Sequence, residues 1–452
     1  MVSLHPKQHM LGGNKISIKT SLDRNGPPLT PPMDNWRNLV DGEPVMGTVS
    51  DQSSDVLVVG GGLVGLSLAR AIAGSGLGVI IVDRESPKQT VSDTFDGRVS
   101  SIARGSVNML QRLGVWTPVR KDAQPIEEIR VTDSGAPFFL HYASHDVGNE
   151  PMGYILENRI LRCALHRLVE SDSRIVWRTG VEVKAIERGA YGVTAELSDG
   201  TKASALLVAA ADGRRSALRA NAGIDVVKRS YRQVGIVCTV AHSYPHGAIA
   251  HERFLSAGPF AILPMTGNRS SLVWTERPEV ASTILKLSTG DFLKELAWRF
   301  GDFLGKLEVV SPRWHYPLEL TLAGQLVARR LALVGDAAHA IHPIAGQGLN
   351  LGLRDAAALT EVVVRAQQLG MDFGEPVVLD GYGRWRRFDG LAMAAVTDSL
   401  NRLFSNDITP LREIRVLGLA TVNKLPSLKA VFQRHAMGVL GRLPELLRDI
   451  SQ

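Results

Sequence analysis

The chain has 452 residues with 44% hydrophobic and 21% charged side chains, the composition of a globular protein that exceeds the usual size of a single core. No apolar run approaches the ~20 residues that a membrane-spanning helix needs, and two cysteines are too few for a disulfide framework or a zinc cluster and favour a reducing cytoplasm. The formal net charge is +6, but the absence of zinc-finger spacing, of an RNA-binding aromatic motif and of runs of like charge argues against nucleic acid as a partner.

The first 54 residues are predicted to form a flexible N-terminal extension. The segment "NGPPLTPPMDN", residues 25–35, contains Pro and Gly but shows no hydrophobic periodicity. Such a segment offers no apolar face that could be buried in a core. A folded domain is therefore expected to begin near residue 55.

A dinucleotide-binding element is predicted at the start of that domain, in "DVLVVGGGLVGLSLARAIAGSGLGVIIVDRE" from Asp55 onward. An apolar strand runs into Gly60, Gly62 and Gly65, a helix follows, and a second apolar strand ends at Asp83. The first glycine permits a tight turn, the second lets the backbone approach a pyrophosphate, and the third lets the helix pack on the strand, while the acid accepts hydrogen bonds from a ribose. The motif alone does not distinguish NAD from FAD.

A second candidate for cofactor contact lies far downstream, in "RRLALVGDAAHA", residues 329–340. An apolar strand there runs into Gly335 and Asp336. A nicotinamide enzyme needs only the first element, whereas the ribityl chain of a flavin suits a second loop, so this motif favours FAD. The alternative is that Asp336 only caps a helix.

The stretch "GDAAHAIHPIAGQGLNLGLRD", residues 335–355, has unusually few large side chains. His339 and His342 have the spacing of a metal-binding pair, but no acid or third ligand is placed to complete the site. No metal is predicted, and a flat group packed against the glycines is the expected reason for the composition.

Three elements together resemble the class A flavoprotein monooxygenases, the family of para-hydroxybenzoate hydroxylase. They are the glycine-rich start, the Gly335-Asp336 motif and "AADGRRSALR", residues 210–219, where the family places Asp212 near the cofactor. "HPIAGQGLNLGLRD" is similar to the motif of the ubiquinone-biosynthesis hydroxylases in that class, and "FDGRVSSIARGSVNMLQRLGVW" to their next segment, with Arg98 near the flavin. The resemblance runs from residue 55 onward and departs locally at Ser100 and Ser101, where relatives carry small apolar residues.

The resemblance implies an α/β fold with a Rossmann-like FAD-binding domain, an inserted antiparallel β-sheet substrate domain and C-terminal helices, which is the class A flavoprotein monooxygenase fold. Beyond the extension, the predicted divisions are an FAD-binding domain formed by residues 55–225 and 319–375, a substrate domain formed by residues 226–318, and a helical region formed by residues 376–452.

In the family geometry the isoalloxazine ring lies against residues 343–350. Backbone amides at the glycines there approach the pyrimidine end of the flavin, and the positive end of the following helix faces the charge of the reduced ring. The predicted cofactor-binding residues are Gly60, Gly62, Gly65, Asp83, Arg98, Asp212, Gly335, Asp336, Pro343, Gly346, Gly348, Leu349 and Asn350.

The implied activity is FAD-dependent hydroxylation of a polyprenylated phenol or quinol on the route to ubiquinone, through a flavin C4a-hydroperoxide that an apolar cavity protects. O₂ is the co-substrate, and NAD(P)H or a redox protein supplies electrons, because no second dinucleotide motif follows a strand. Ring position, prenyl chain length and electron donor stay open. Two alternatives remain, namely a flavin hydroxylase acting on another aromatic substrate and a flavin-binding accessory protein of a quinone-biosynthesis assembly.

No catalytic residue is assigned, since any of His242, Tyr244, His246, His251 and His315 could face the cavity. Residues 381–452 carry 11 Lys/Arg against 6 Asp/Glu, a net charge of +5, with apolar stripes that include Leu411, Ile414 and Leu417. A solvated helix face and docking on an anionic bilayer both remain open. The expected location is the cytoplasm, with peripheral contact at the inner membrane (on the matrix side in a mitochondrion) and other ubiquinone-biosynthesis proteins as candidate partners.

Overall fold

The computed structural model describes residues 51–87, 95–133, 140–146, 148, 150–404 and 425–449. Residues 1–50 of the predicted extension lie outside the described residues, as do the predicted apolar positions Leu411, Ile414 and Leu417. Everything below concerns the described ranges.

The elements are numbered in chain order. The strands are β1 (Gln52–Ser53), β2 (Val56–Val59), β3 (Val79–Asp83), β4 (Val99–Ala103), β5 (Gln124–Ile126), β6 (Glu128–Asp133), β7 (Leu140–Ala143), β8 (Gly153–Glu157), β9 (Ile175–Thr179), β10 (Val183–Arg188), β11 (Val193–Leu197), β12 (Lys202–Ala205), β13 (Leu207–Ala210), β14 (Val226–His242), β15 (Ile249–Leu255), β16 (Gly258–Met265), β17 (Arg269–Glu276), β18 (Leu307–Val309), β19 (Trp314–Ala323), β20 (Val327–Ala328), β21 (Leu331–Leu333) and β22 (His339–Ala340). The α-helices are α1 (Leu63–Gly74), α2 (Arg104–Arg112), α3 (Trp116–Val119), α4 (Asn158–Glu170), α5 (Ala217–Asn221), α6 (Pro278–Lys286), α7 (Thr289–Phe300), α8 (Gln347–Gln368), α9 (Pro376–Phe404) and α10 (Pro426–Ala436).

A six-stranded sheet in the order β20-β21-β13-β2-β3-β9 forms the first core. The strands from β21 to β9 are parallel, and β20 joins the edge antiparallel. Strands β2 and β13 are buried at every position, as expected for strands covered on both faces. Because the carboxyl ends of parallel strands share one edge, the loops after β2, β13 and β21 and the end of β3 meet there.

A larger mixed sheet in the order β22-β19-β14-β17-β16-β15-β6-β7, with β18 beside β14, forms the second core. One face packs against α6 and α7 through alternate residues of its central strands, and this outer face includes Ile236, Cys238, Phe260, Ile262, Leu272 and Trp274. The other, inner face carries the intervening residues. Strands β6, β7 and β22 come from outside residues 226–318, and β6 pairs in parallel with β15. The domain boundaries given above stay a prediction.

Two smaller sheets, β4-β8-β5 and β1-β12-β11-β10, complete the strands. Helix α8 packs against α1 and α9, and the hydroxyl of Tyr382 in α9 donates to the carbonyl of Leu333 at 2.7 Å. The long helix α9 is thereby fastened to the six-stranded sheet. Among the helices in the described ranges, none has the length and hydropathy required to cross a bilayer.

Candidate active site

The glycine turn after β2 is packed too tightly for side chains at two of its three positions. Gly60 has φ +109°, and a Cβ there would lie 2.3 Å from the carbonyl oxygen of Ala211. A Cβ at Gly65 would lie 1.9 Å from the carbonyl oxygen of Gly60. At Gly62, in contrast, a Cβ would meet no atom within 4 Å. The turn therefore packs closely on the protein side and leaves an open surface at Gly62.

The Asp83 carboxylate is fixed against this turn. Its Oδ2 accepts a hydrogen bond from the Gly61 amide at 2.8 Å, and its Oδ1 accepts one from the Glu85 amide at 3.0 Å. Burial raises the pKa of Asp83 above its ordinary value, and the two backbone donors oppose that rise. The side chain thus lies at the end of β3 beside the turn, as the spacing predicts.

Two further carboxylates follow β13 and β21 at the same sheet edge. The Oδ2 atom of Asp212 accepts from the Leu218 amide at 3.2 Å, while its Oδ1 is buried and has no hydrogen-bond partner among the described residues. Asp336 lines a cavity. Burial raises the pKa of the Asp336 carboxyl group, although the nearby charges of Arg214 and His339 oppose that rise. An unpaired buried acceptor is costly, so a donor from a bound molecule is expected at Asp212.

The segment that starts α8 combines one crowded glycine with one open glycine. Gly346 has φ +62°, and a Cβ there would lie 2.8 Å from the Cβ of Ser101 in β4. A Cβ at Gly348 would meet nothing within 4 Å. The first turn of α8 is therefore pressed against β4 on one side and open on the other.

Asn350 supplies the hydrogen bonds that hold this arrangement. Its Oδ1 accepts from the Ala103 amide and the Ser106 hydroxyl, both at 2.9 Å. Its Nδ2 donates to the carbonyls of Ser101 at 2.9 Å and Gly346 at 3.2 Å. The side chain is buried and links α8 to β4.

A cavity of about 520 Å³ lies between this segment and the inner face of the larger sheet. Six of the predicted cofactor-binding residues line it, namely Arg98, Asp336, Pro343, Gly346, Gly348 and Leu349. The other seven do not line it: Gly60, Gly62, Gly65, Asp83, Asp212, Gly335 and Asn350. Of these seven, all but Asn350 lie at or next to the carboxyl ends of the parallel strands. The predicted residues thus divide between the cavity and the adjoining sheet edge.

The wall supplied by the sheet was anticipated from sequence at one residue, His315, and not elsewhere. Its side chains include Val237, Glu252, Pro259, Ala261, Leu263, Ser271, Val273, Thr275, Trp314, His315 and Tyr316. Of the five candidates for a base, only His315 lines the cavity. His242 is bonded to the Tyr244 carbonyl at 2.7 Å, His246 to the Met265 carbonyl at 2.8 Å, and His251 contacts a ring on the outer face. Period-two alternation in β15 was the available signal, since it places Glu252 on the same face as two apolar residues.

Comparison with known proteins decides which cofactor this geometry serves. The FAD binding domain family matches residues 53–380, and the ubiquinone hydroxylase UbiL of Rhodospirillum rubrum is 48% identical over 402 residues, covering 89% of this chain and 93% of that protein. The chain belongs to the ubiquinone-biosynthesis flavin hydroxylase family. The hydroxylase is an FAD-dependent monooxygenase, and the open glycines, the unpaired acceptor at Asp212 and the adjoining cavity fit that cofactor.

Two other proteins show how far this similarity extends. The 3-demethoxyubiquinol 3-hydroxylase of Escherichia coli is 33% identical to the hydroxylase, with 86% of this chain and 100% of that protein covered. The crystal structure of p-nitrophenol 4-monooxygenase PnpA from Pseudomonas putida superposes with a TM-score of 0.72 at 21% identity, covering 87% of this chain and 100% of that one. The latter likeness confirms the class A flavoprotein monooxygenase fold.

Behind the cavity, the hydroxylase buries a cluster of ions around Asp355. Its Oδ1 accepts from the Arg386 guanidinium at 2.7 Å, and its Oδ2 accepts from the Gly335 amide at 2.9 Å and lies 2.9 Å from Nε2 of His339. Arg386 also contacts Asp389. Burial alone would raise the pKa of Asp355, but the charges and hydrogen bonds of His339 and Arg386 outweigh it and lower the pKa. The cluster fixes Gly335 in place.

The cluster also accounts for the histidine pair noted in the sequence. His339 faces Asp355, while His342 is fully buried against the ring of Tyr231. The described part of the chain contains no group of three or more His, Cys, Asp or Glu side chains that could hold a metal ion.

Proposed function

We propose that the hydroxylase inserts one oxygen atom of O₂ into the ring of a polyprenylated phenol or quinol on the route to ubiquinone. The observation that carries this proposal is the cavity, which has a glycine-rich wall on one side and a mainly apolar sheet wall on the other. UbiL is by name a ubiquinone hydroxylase, and the Escherichia coli relative is by name a hydroxylase of demethoxyubiquinol. These names support a substrate of the same class for this chain.

The sheet edge is the proposed site for the nucleotide end of FAD. The open surface at Gly62 gives the pyrophosphate access to backbone amides, and Asp83 accepts hydrogen bonds from the ribose. The free Oδ1 of Asp212 and the carboxylate of Asp336 accept from further hydroxyls of the cofactor. Gly335 has no side chain, so none projects between helix α1 and the carboxylates of Asp212 and Asp336.

The start of α8 is the proposed support of the flavin ring. Pro343, Gly346, Gly348 and Leu349 form that wall, with amides at the positive end of α8 directed at the ring. Asn350 acts indirectly by holding the wall against β4. Arg98 lies at the cavity edge, where it pairs with Asp96 at 2.7 Å and lies over the ring of Trp314 at 5.8 Å.

When bound, FAD supplies the two electrons that reduce O₂. The overall change is ArH + O₂ + 2 e⁻ + 2 H⁺ → ArOH + H₂O, with the electrons drawn from NAD(P)H or from a redox protein. The protein orients the ring against the glycine wall and excludes water with Pro259, Ala261, Leu263 and Val273. Such exclusion keeps the reducing equivalents from being lost as peroxide.

The test is hydroxylation of 2-farnesylphenol by the purified holoenzyme under ¹⁸O₂ with NADH, NADPH or a reduced ferredoxin. We expect a product heavier than the substrate by one ¹⁸O atom, with one product molecule formed for each NADH or NADPH oxidised, or for every two molecules of a one-electron ferredoxin. Reductant oxidation that yields peroxide and no hydroxylated product with any of the three donors would contradict the proposed function.

Replacing the carboxylate at the glycine turn should weaken the binding of FAD. Asp83→Ala removes an acceptor for the ribose and the partner of the Gly61 amide, and we expect FAD binding to weaken by about 1.5–3 kcal/mol, the range of a charged hydrogen bond. Equilibrium dialysis of the apoprotein against FAD measures this. Glu85→Ala, two residues along the chain, serves as the control and should bind FAD as the unaltered protein does.

Peripheral contact with an anionic bilayer is the second part of the proposal. On α9, Phe388 is 76% exposed and Leu391 is 50% exposed, and the exposed Arg384 and Arg387 lie one turn away on the same side of the helix. Apolar side chains flanked by basic ones suit a surface of anionic lipid, where a polyprenylated substrate would reside. The proposed location is therefore the cytoplasmic or matrix side of the inner membrane.

Vesicle flotation tests this contact. The double variant Phe388→Ser with Leu391→Ser should float less with phosphatidylglycerol vesicles than the unaltered protein, and neither should float with phosphatidylcholine alone. Trp298→Ser is the matched control, because this residue is 79% exposed on α7. Equal flotation of all three proteins would refute the α9 surface. Deletion of residues 381–452 is unsuitable, because Tyr382, Arg386 and Leu447 in that segment are buried.

A further inference from the structure

We propose that Glu252 is the catalytic base of the hydroxylase, accepting the proton of the ring hydroxyl of the substrate. This inference rests on the proposed function, because it requires a phenol or quinol in the cavity. For the role of the base, the sequence patterns offered only histidines and a tyrosine.

Glu252 lies on the wall of the cavity. Alternation along β15 places Ala250, Glu252 and Phe254 on the inner face of the larger sheet, and Glu252 lines the cavity. The strand pairing puts Glu252 directly opposite Val131 of β6 on one side and Ala261 of β16 on the other. The carboxylate is thus set among apolar side chains on the wall that faces the flavin-supporting segment.

The row of residues that begins at Glu252 and Ala261 stays apolar across the sheet. Ala261 lies opposite Val273 of β17, Val273 lies opposite Val237 of β14, and Val237 lies opposite Trp314 of β19. An aromatic ring placed on this row would contact small apolar side chains along one edge and reach a single carboxylate at its end. That arrangement orients a phenol with its hydroxyl toward Glu252.

The Glu252 carboxylate has no hydrogen bond or ion pair within the described ranges. Buried polar groups are normally paired, and an unpaired one is costly unless it serves a ligand. The side chain is only partly accessible, and the surface that it exposes is the cavity wall. Burial raises the pKa of Glu252 to about 7, which brings it closer to that of a phenol, about 10, than an ordinary glutamate would be.

The other titratable residues that line the cavity are less suited to this role. They are Arg98, Arg214, His315, Tyr316 and Asp336. A guanidinium group only donates hydrogen bonds and cannot serve as a base, and burial raises the pKa of Tyr316. Asp336 belongs to the opposite wall, where the flavin is proposed to lie. His315 is an exposed residue of β19, and it is the rival that the experiment must exclude.

One buried acid lies near Glu252 without lining the cavity. Asp133 of β6 pairs with Phe254 of β15, next to Glu252 on the same face. No charged residue of the neighbouring strand β16 faces Glu252, because its inner-face residues are Pro259, Ala261 and Leu263.

The proposed step moves one proton and no electrons. The O–H bond of the substrate breaks, the carboxylate of Glu252 takes the proton, and the electron pair stays on the ring oxygen as a phenolate. The ring carbon becomes more nucleophilic before oxygen is inserted. When the product regains its hydroxyl proton, Glu252 returns to its ionised form, so the overall stoichiometry is unchanged.

The experiment compares Glu252→Gln with the unaltered holoenzyme on two substrates. The first is 2-farnesylphenol, and the second is a fluorinated 2-farnesylphenol whose hydroxyl is already ionised at the assay pH. We expect the variant to hydroxylate the neutral phenol at least about 100-fold more slowly, and the fluorinated phenol at nearly the unaltered rate. With the neutral phenol, the rate of the unaltered enzyme should rise with pH through about 7, and the variant should lack that rise.

Each other result has a definite meaning. An equal loss of rate on both phenols would assign Glu252 a structural role. If Glu252→Gln lost no rate on either phenol, His315 would be the base, and His315→Gln would then remove the pH dependence. Both results overturn the proposal. Glu319→Gln, a partly buried position on the same sheet outside the cavity, should change neither rate.

The content of FAD distinguishes a local effect from a folding defect. If Glu252→Gln fails to retain FAD, Glu252→Asp replaces it, and this variant should keep the pH dependence at a reduced rate. Loss of FAD from both variants would overturn a role confined to the substrate. An unaltered enzyme that hydroxylates neither phenol would refute the proposed function itself, and this inference with it.

Discussion

Gly348→Val should abolish retention of FAD while leaving the protein folded. A Cβ at Gly348 meets no protein atom within 4 Å, so the larger side chain has room in the protein but projects into the cavity where the flavin ring is proposed to lie. Gly348 lies within α8, where the intrinsic helix propensity of valine is no worse than that of glycine. The flavin absorption of the purified variant, together with its thermal unfolding, measures the two effects separately.

Gly381→Val is the matched control for this substitution. Gly381 also lies within a helix, and a Cβ there also meets no atom within 4 Å, but the position does not line the cavity. The control should purify with its full content of FAD. A Gly348→Val protein that carried as much flavin as the control would show that the start of α8 does not support the ring.

Asp355→Ala should cause the largest loss of stability in the hydroxylase. Both Asp355 and Arg386 are 0% exposed, and removal of one partner of a buried ion pair typically costs about 3–5 kcal/mol because the other charge stays buried. The variant also leaves the Gly335 amide without its acceptor. Urea unfolding monitored by circular dichroism measures the loss, and Asp302→Ala at an exposed position should be close to neutral.

The pH dependence of the same comparison has a definite sign. The pKa of Asp355 is lowered below its ordinary value of 3.8, so its ionised form stabilises the folded state above the pKa of the unfolded chain. That contribution is lost as the pH falls through the lower, folded-state pKa. The difference in unfolding free energy between the two proteins should therefore be constant near neutral pH and shrink in acid. A difference that grew in acid would contradict the ion cluster.

Local patterns in the sequence determine the geometry of the glycine-rich wall, whose contact with the flavin stays a prediction. Gly60, Gly65 and Gly346 are confined by contacts that no side chain could share, and such positions appear in a sequence as glycines at fixed offsets from strands. Asp83 lies where the strand-to-acid spacing places it. The fold class follows from the order of these elements and is confirmed by the structural likeness to PnpA.

The opposite wall could not be predicted in the same way, because it depends on strand register across a sheet. Glu252 becomes a cavity residue only when β15 is paired with β6 and β16, and β6 is more than a hundred residues away in the chain. The histidines that the sequence offered as candidates for the base include side chains that the structure bonds elsewhere. His242, for example, is hydrogen-bonded to Ser270 at 3.1 Å. The buried pair of Asp355 and Arg386 is likewise invisible without the packing of α9 on α8.

The contact between Arg386 and Asp355 has a consequence for synthesis of the protein on the ribosome. The glycine turn emerges early, but the residue that neutralises Asp355 and so fixes Gly335 emerges only when most of the chain has been made, tens of seconds later at about 5–20 residues per second. Residues 341–353 emerge 33–45 residues ahead of Arg386, and for those few seconds this apolar segment has no completed support. A nascent chain should therefore acquire FAD late, and chaperones that recognise apolar segments should bind it most strongly there.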